Sequence, residues 1–303
     1  MQGLAGFAMR GRVQAALVAS AFALLSLIMP LLGLISSATV ALVTLRKGAN
    51  EGLIAAAFAV ALSGLISFAA LGSPIPAMGF ALAMWLPVWL LGLVLRQGRS
   101  LDLAIQSAVL LGVLIVLGIH LQTADPAKYW AQLLEPMRES LVAGGALEAA
   151  TSKQLVAEVS RWMTGAFAAA FYFQVLLALL IARWSQALLY NPGGFGPEFR
   201  AFRVRSVVGY LGLGLLIPAL LLRNAVWPVE ALLLLAPLFF LQGVAVVHGL
   251  VHGYSLGRGW LIGFYALLVL VMPHSEILVT GLGFVDVWAD VRARAAARRK
   301  ARD

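Results

Sequence analysis

Hydrophobic positions in this chain neither alternate nor keep to one helical stripe; they run on in blocks. The blocks are Val13–Met29, Leu31–Leu45, Gly52–Leu71, Ala77–Leu95, Leu101–Leu121, Trp162–Ala182, Ser206–Leu222, Val229–Val251, Trp260–Met272 and Ile277–Trp288. A helix needs about 20 apolar residues to cross the hydrocarbon, fewer if the segment is re-entrant. The pattern therefore predicts an all-α, polytopic transmembrane bundle of eight to ten spans. The second block and the last two are short, and can be tilted or hairpin-like. Residues 1–303 read as a single integral membrane domain. Arg10 and Arg12 before the first block imitate a signal peptide. That block is too long for one and no small-residue cleavage site follows, so an uncleaved first span is expected.

Breaks in the pattern carry their own signals. Pro30, Ser73-Pro74-Ile75-Pro76 and Pro273 separate blocks, while Pro87, Pro218 and Pro237 lie inside them, where each removes a backbone hydrogen bond. The longest polar interval, 122–161, reads as an amphipathic helical hairpin on the outer face. Asp125-Pro126 suits an N-cap followed by proline at N1. Trp130, Leu133, Leu134, Met137 and Leu141 share one helical face, and Gly144-Gly145 ends it. Thr151-Ser-Lys-Gln154 resembles a capping box opening the helix that enters the Trp162 block.

Composition and charge then set the solvent and the orientation. Hydrophobic residues make up 62% of the chain and charged residues 12%, against about a quarter in soluble domains, so most of the surface is expected to face lipid. With the N-terminus inside, seventeen of the 22 lysines and arginines fall on the inner side. The outer five are Lys128, Arg138, Lys153, Arg161 and Arg223. The positive-inside rule thus predicts a protein of a cytoplasmic-type membrane with both termini in the cytoplasm, 289–303 being a basic cytoplasmic tail. The net charge of +9 is read as attraction to anionic headgroups, since no soluble basic domain exists to bind nucleic acid.

Candidate chemistry is sparse. The absence of cysteine excludes disulfides, cysteine-ligated metals and thiol catalysis. No nucleophile–base set, paired catalytic carboxylates or nucleotide fingerprint occurs, so neither an enzyme nor a cofactor is expected. His248 and His252 are four apart, but Gly249 stands where a zincin needs glutamate, and no metal site is expected. His120 and His274 are isolated at the outer boundary. Glu230 (after Arg223 and Asn224), Asp102, Asp286 and Asp290 all lie near span ends, within reach of an interface. Gln106, Gln174 and Gln242 lie deeper and, with His248, are candidates for solute contacts or interhelical hydrogen bonds.

The most distinctive segment is 190–205. Asn191-Pro192-Gly193-Gly194 forms a turn. Phe195, Phe199 and Phe202 then recur at helical spacing, with Arg200, Arg203 and Arg205 on other faces. This predicts a cytoplasmic interfacial helix with its aromatic side in anionic lipid, a docking site for a membrane or cytoplasmic protein partner, or a phosphate nest in the Gly-Gly amides. Ala15, Ala19 and Ala23 form a small-residue stripe suited to close helix packing, within the chain or against a partner.

Several of these segments together resemble the YybS-like family of bacterial membrane proteins (domain of unknown function 2232). They are Leu45-Arg46-Lys47-Gly48 with Glu51-Gly52, Leu189–Arg200, Gln242-Gly243 with His248-Gly249, and Gly281–Asp286 with Trp288 and the basic tail. The family is distantly similar to S components of energy-coupling-factor transporters and to the rod-shape protein MreD. The resemblance implies a small-solute transport component that needs a partner and docks it through an alanine face on its first helix, which here is Ala15/Ala19/Ala23. The alternative is a non-transporting scaffold for cell-envelope assembly.

Overall fold

The computed structural model describes residues 1–222 and 225–300, with the side chains of 298–300 excepted. Arg223, Asn224, Arg302 and the side chains of Arg298, Arg299 and Lys300 lie outside the described set. Every regular element among the described residues is helical. In chain order these are α1 (Gln2–Ala8), α2 (Arg12–Leu25), α3 (Leu32–Lys47), α4 (Ala49–Leu71), α5 (Ile75–Gly98), α6 (Leu101–Gln122), α7 (Pro126–Ala143) and α8 (Ala149–Tyr190). After them come α9 (Phe195–Ala201), α10 (Ser206–Leu221), α11 (Trp227–Gly253), α12 (Gly259–Leu270), α13 (His274–Ala289) and α14 (Val291–Lys300).

Five of these, α4, α5, α6, α8 and α11, are long and apolar enough to cross a membrane; α9 with α10, bent by 47°, makes up to six. This is fewer than the eight to ten spans expected. The shortfall lies in α2, α3, α12 and α13, which have 14, 16, 12 and 16 residues. At about 1.5 Å per residue these reach only about 18–24 Å, short of a hydrocarbon core about 30 Å thick. A π-helical turn at Ala81–Trp85 precedes Pro87 in α5, a local accommodation of the missing proline donor.

The chain divides into two compact units, residues 1–108 with 173–202, and residues 109–172 with 203–303. In the first unit, small residues let helices approach closely. A Cβ at Gly52 of α4 would lie 2.0 Å from Thr44 Oγ1 of α3. The indole of Trp85 donates to Ser36 Oγ (2.9 Å), whose hydroxyl donates to the Ala19 carbonyl (2.6 Å), tying α5, α3 and α2. Ala15, Ala19 and Ala23 are buried at 1%, 1% and 6% exposure. The stripe is therefore internal packing, not a face open to a partner.

In the second unit, α11 and α13 cross backbone to backbone. A Cβ at Gly283 would lie 1.8 Å from the Phe239 carbonyl oxygen, and one at Gly243 2.0 Å from that of Val279. Only glycine permits this approach, and an edge-on Phe239–Phe284 pair (5.0 Å) packs beside it. The hydroxyl of Tyr172 on α8 donates to the Leu234 carbonyl of α11.

The 122–161 interval is helical on both arms. Asp125 caps α7 as expected, its Oδ1 accepting from the Lys128 N–H (3.0 Å). Of the expected apolar face, Trp130 is buried and donates to Thr164 Oγ1 (2.9 Å), while Leu133, Met137 and Leu141 are exposed. The expected capping box does not form. Helix α8 already starts at Ala149, and Ser152 Oγ donates back to the Ala149 carbonyl, so the end of the polar interval and the apolar block after it are one 42-residue helix.

Candidate functional site

Two clusters of polar side chains stand out from the apolar background, one in each unit. In the first unit, a cleft of about 480 Å³ is lined by Leu45, Leu95, Arg96, Arg99, Arg183, Gln186 and Glu198. Its floor is built from helix ends. Arg96, in the last turn of α5, donates from NH1 to the Leu45 carbonyl in the last turn of α3 (2.6 Å), satisfying an acceptor that the helix leaves free. The Arg96 guanidinium lies over Gly48, whose φ of 107° requires glycine. Arg99 caps α5 in the left-handed region (φ 49°), uncommon for a side chain of this size. Glycine is spent one residue earlier, where a Cβ at Gly98 would meet Leu103 at 2.9 Å.

The facing wall comes from α8 and α9. Arg183 Nε donates to both carboxylate oxygens of Glu198 (2.9 and 3.2 Å), and its NH1 donates to Gln186 Oε1 (2.7 Å). Arg46 stacks on the Tyr190 ring at 4.1 Å. Three guanidiniums thus share the cleft with one carboxylate, and among the described residues neither Arg96 nor Arg99 has a carboxylate partner. Chemically, the cleft is an anion acceptor. The distinctive segments around Leu45–Gly48 and Asn191–Glu198 meet here.

The second cluster is sealed. Gln242 (1% exposed) accepts at Oε1 from the Val204 N–H (2.7 Å) and donates from Nε2 to Asp286 Oδ2 (3.0 Å). Asp286 (2% exposed) also accepts from the Val291 N–H (2.8 Å) and from Arg292 NH2 (3.0 Å). Beside it, Arg203 donates to both oxygens of Asp290 (2.8 and 2.6 Å). That guanidinium, helped by the Ala293 N–H, holds the Asp290 carboxyl below the usual carboxylate range.

The sequence-predicted residues divide between these places. Gln106 and Gln174 belong to the first unit, Gln242 and His248 to the second. Gln106 donates to the Asp102 carbonyl of its own helix, and His248 Nε2 pairs with the Tyr265 hydroxyl (2.8 Å). These side chains, like Gln242, bond within the protein, and none of the four lines the basic cleft. Asp286 was expected to reach an interface; it is buried because Gln242 and Arg292 replace its water. Glu230 is likewise buried, its carboxylate 3.7 Å from His120 Nε2.

The 190–205 segment also departs from expectation. Phe195 and Phe199 stack at 5.8 Å, but α9 ends at Ala201 and Phe202 turns fully inward (0% exposed), so it does not share their face. The Gly194 N–H closes the turn onto the Asn191 carbonyl (3.0 Å), which occupies one donor of the expected nest. Pro192 and Gly193 (φ 85°) are exposed in that turn; Arg205 is exposed and Arg200 lies over Gly196.

No family model matches the chain, and no curated protein or solved structure is similar to it.

What sequence reasoning missed is the cleft itself. Arg96, Arg99 and Arg183 counted there only as inner-side charges, Gln186 carried no motif, and Glu198 stood only as part of the distinctive 190–205 segment. They converge through tertiary contacts between segments about 90 residues apart, for which local spacing holds no signal.

Proposed function

We propose that this is an integral protein of the bacterial cytoplasmic membrane, with both termini cytoplasmic, acting as the solute-handling component of a transport system. It depends on a separate energising partner, because no nucleotide-hydrolysing signature lies in the chain. The orientation draws on the distribution of Lys and Arg. The long crossings α4, α5, α6, α8 and α11, with α10 entered from α9 on the cytoplasmic side, preserve it. The short pairs α2–α3 and α12–α13 then act as hairpins that each return the chain to the side it left.

The observation that supports transport is the basic cleft. It is polar, open and within the size range of ligand sites, in a chain that is 62% hydrophobic. A second reading, a scaffold for envelope assembly, draws on a different fact: Gln106, Gln242 and His248 are engaged in internal hydrogen bonds. The YybS-like resemblance is compatible with either.

Native mass spectrometry of the detergent-purified protein separates the two. A retained small molecule is the expected result. Stable co-purification with cell-wall enzymes and no retained molecule would overturn the transport reading. Reporter fusions after Arg99, after Arg205 and at Asp303 should all report cytoplasmic, and one at Gly145 should report the opposite side.

A further inference from the structure

We propose that the Arg96/Arg99/Arg183 cleft binds a phosphate group, and that Glu198 occupies Arg183 in its place until the phosphate arrives. This deepens the transport reading by naming the chemistry of the ligand, and it rests on the cleft being a solute site.

Guanidiniums match phosphate oxygens in a planar, paired geometry that neither backbone carbonyls nor water reproduce. Arg99 projects from a left-handed cap into the cleft lining, with no carboxylate partner among the described residues. Arg96 holds a single carbonyl through NH1. Arg183 is held by Glu198 through one donor only, Nε shared between both carboxylate oxygens, and the pair is about a quarter exposed, so a ligand arriving from solvent can displace the carboxylate. Gln186, which accepts from Arg183 NH1, keeps that guanidinium aimed as Glu198 leaves. Glu198 sits on the seven-residue helix α9, after the exposed Asn191–Gly193 turn, an element short enough to shift.

A phosphate group can come from a headgroup or from a soluble phosphate compound. The two sources are separated by working with the full chain in a phosphate-free maltoside detergent. Pyrophosphate is titrated in one arm. In the other, lipids retained by the detergent-purified protein after exposure to mixed phosphatidylglycerol and phosphatidylcholine are identified by native mass spectrometry. Binding in either arm should weaken as salt rises. Arg99→Asn, which keeps a residue tolerant of the left-handed backbone, should weaken binding about tenfold, the scale of one charge-assisted hydrogen bond. Glu198→Gln should tighten it about fivefold by releasing Arg183. Unchanged melting of both variants shows that the fold is intact.

Binding of neither probe to the wild-type chain overturns the proposal, as does binding that neither substitution alters. A retained uncharged solute, insensitive to Arg99→Asn, overturns the phosphate assignment while leaving the transport reading in place.

Discussion

The two polar clusters use the same residue types to opposite ends. In the first unit, Arg96, Arg99 and Arg183 line an open cleft and outnumber the single carboxylate, Glu198. In the second, Asp286 is sealed against Gln242 and Arg292 and accepts from both, and from the Val291 N–H. A buried charge held by several donors favours one packing of its helices, and removing it leaves those donors stranded. A charge on an open wall contributes little to stability, because water and salt screen it, and remains available to a ligand. Sealed charge and open charge are thus set apart by burial, not by composition.

The contrast can be broken at several points. The largest effect is expected for Asp286→Ala, which strands Arg292, Gln242 and the Val291 N–H. It should cost about 3–5 kcal/mol, read as an early thermal unfolding transition in detergent. Melting like wild type would show that the second cluster is not a structural lock. Next comes Gly283→Ala. Its methyl group would sit 1.8 Å from the Phe239 carbonyl oxygen, so α11 and α13 must separate. A loss of about 3 kcal/mol is expected in the same assay, at the upper end for overpacking.

Ala19→Leu carries the test into the first unit. Ala19 is 1% exposed and its carbonyl accepts from Ser36, so the larger side chain should destabilise the chain by about 2 kcal/mol. Unchanged melting would return the alanine stripe to the surface and reopen the docking role.

The smallest effect concerns pH. Arg203 depresses the Asp290 carboxyl in the folded state, so the pair stabilises the protein above the ordinary aspartate range near pH 4. That contribution is lost as the pH falls through the lowered value. The pair is well exposed, which limits it to about 1 kcal/mol or less. Melting curves of wild type and Asp290→Asn should differ slightly at pH 6 and converge as the acid limb is reached. A difference that persists undiminished at pH 2 would refute the assignment.

Chain-local rules account for much of this molecule. The helical class follows from apolar blocks too long for strands. The cap at Asp125-Pro126 follows from side-chain chemistry confined to one turn, whereas the spacing of Ala15, Ala19 and Ala23 marked a close-packing face without saying what covers it. The ends of the helices were less legible. Where every face is apolar, hydropathy marks a block without saying how far the helix runs or which side is buried. So α8 absorbed the expected capping box, and α2 stopped at Leu25, short of the block's end at Met29.

By itself, then, the sequence determined an all-helical chain with several membrane-length apolar helices, because those properties are sums over neighbouring residues. Tertiary structure alone decided that Arg96, Arg99, Arg183 and Glu198 share a cleft, that Asp286 is sealed against Gln242 and Arg292, and that Phe202 points inward. Each of these depends on segments far apart in the chain meeting at side-chain distance, and no local periodicity encodes which of two equally apolar or equally charged faces will meet.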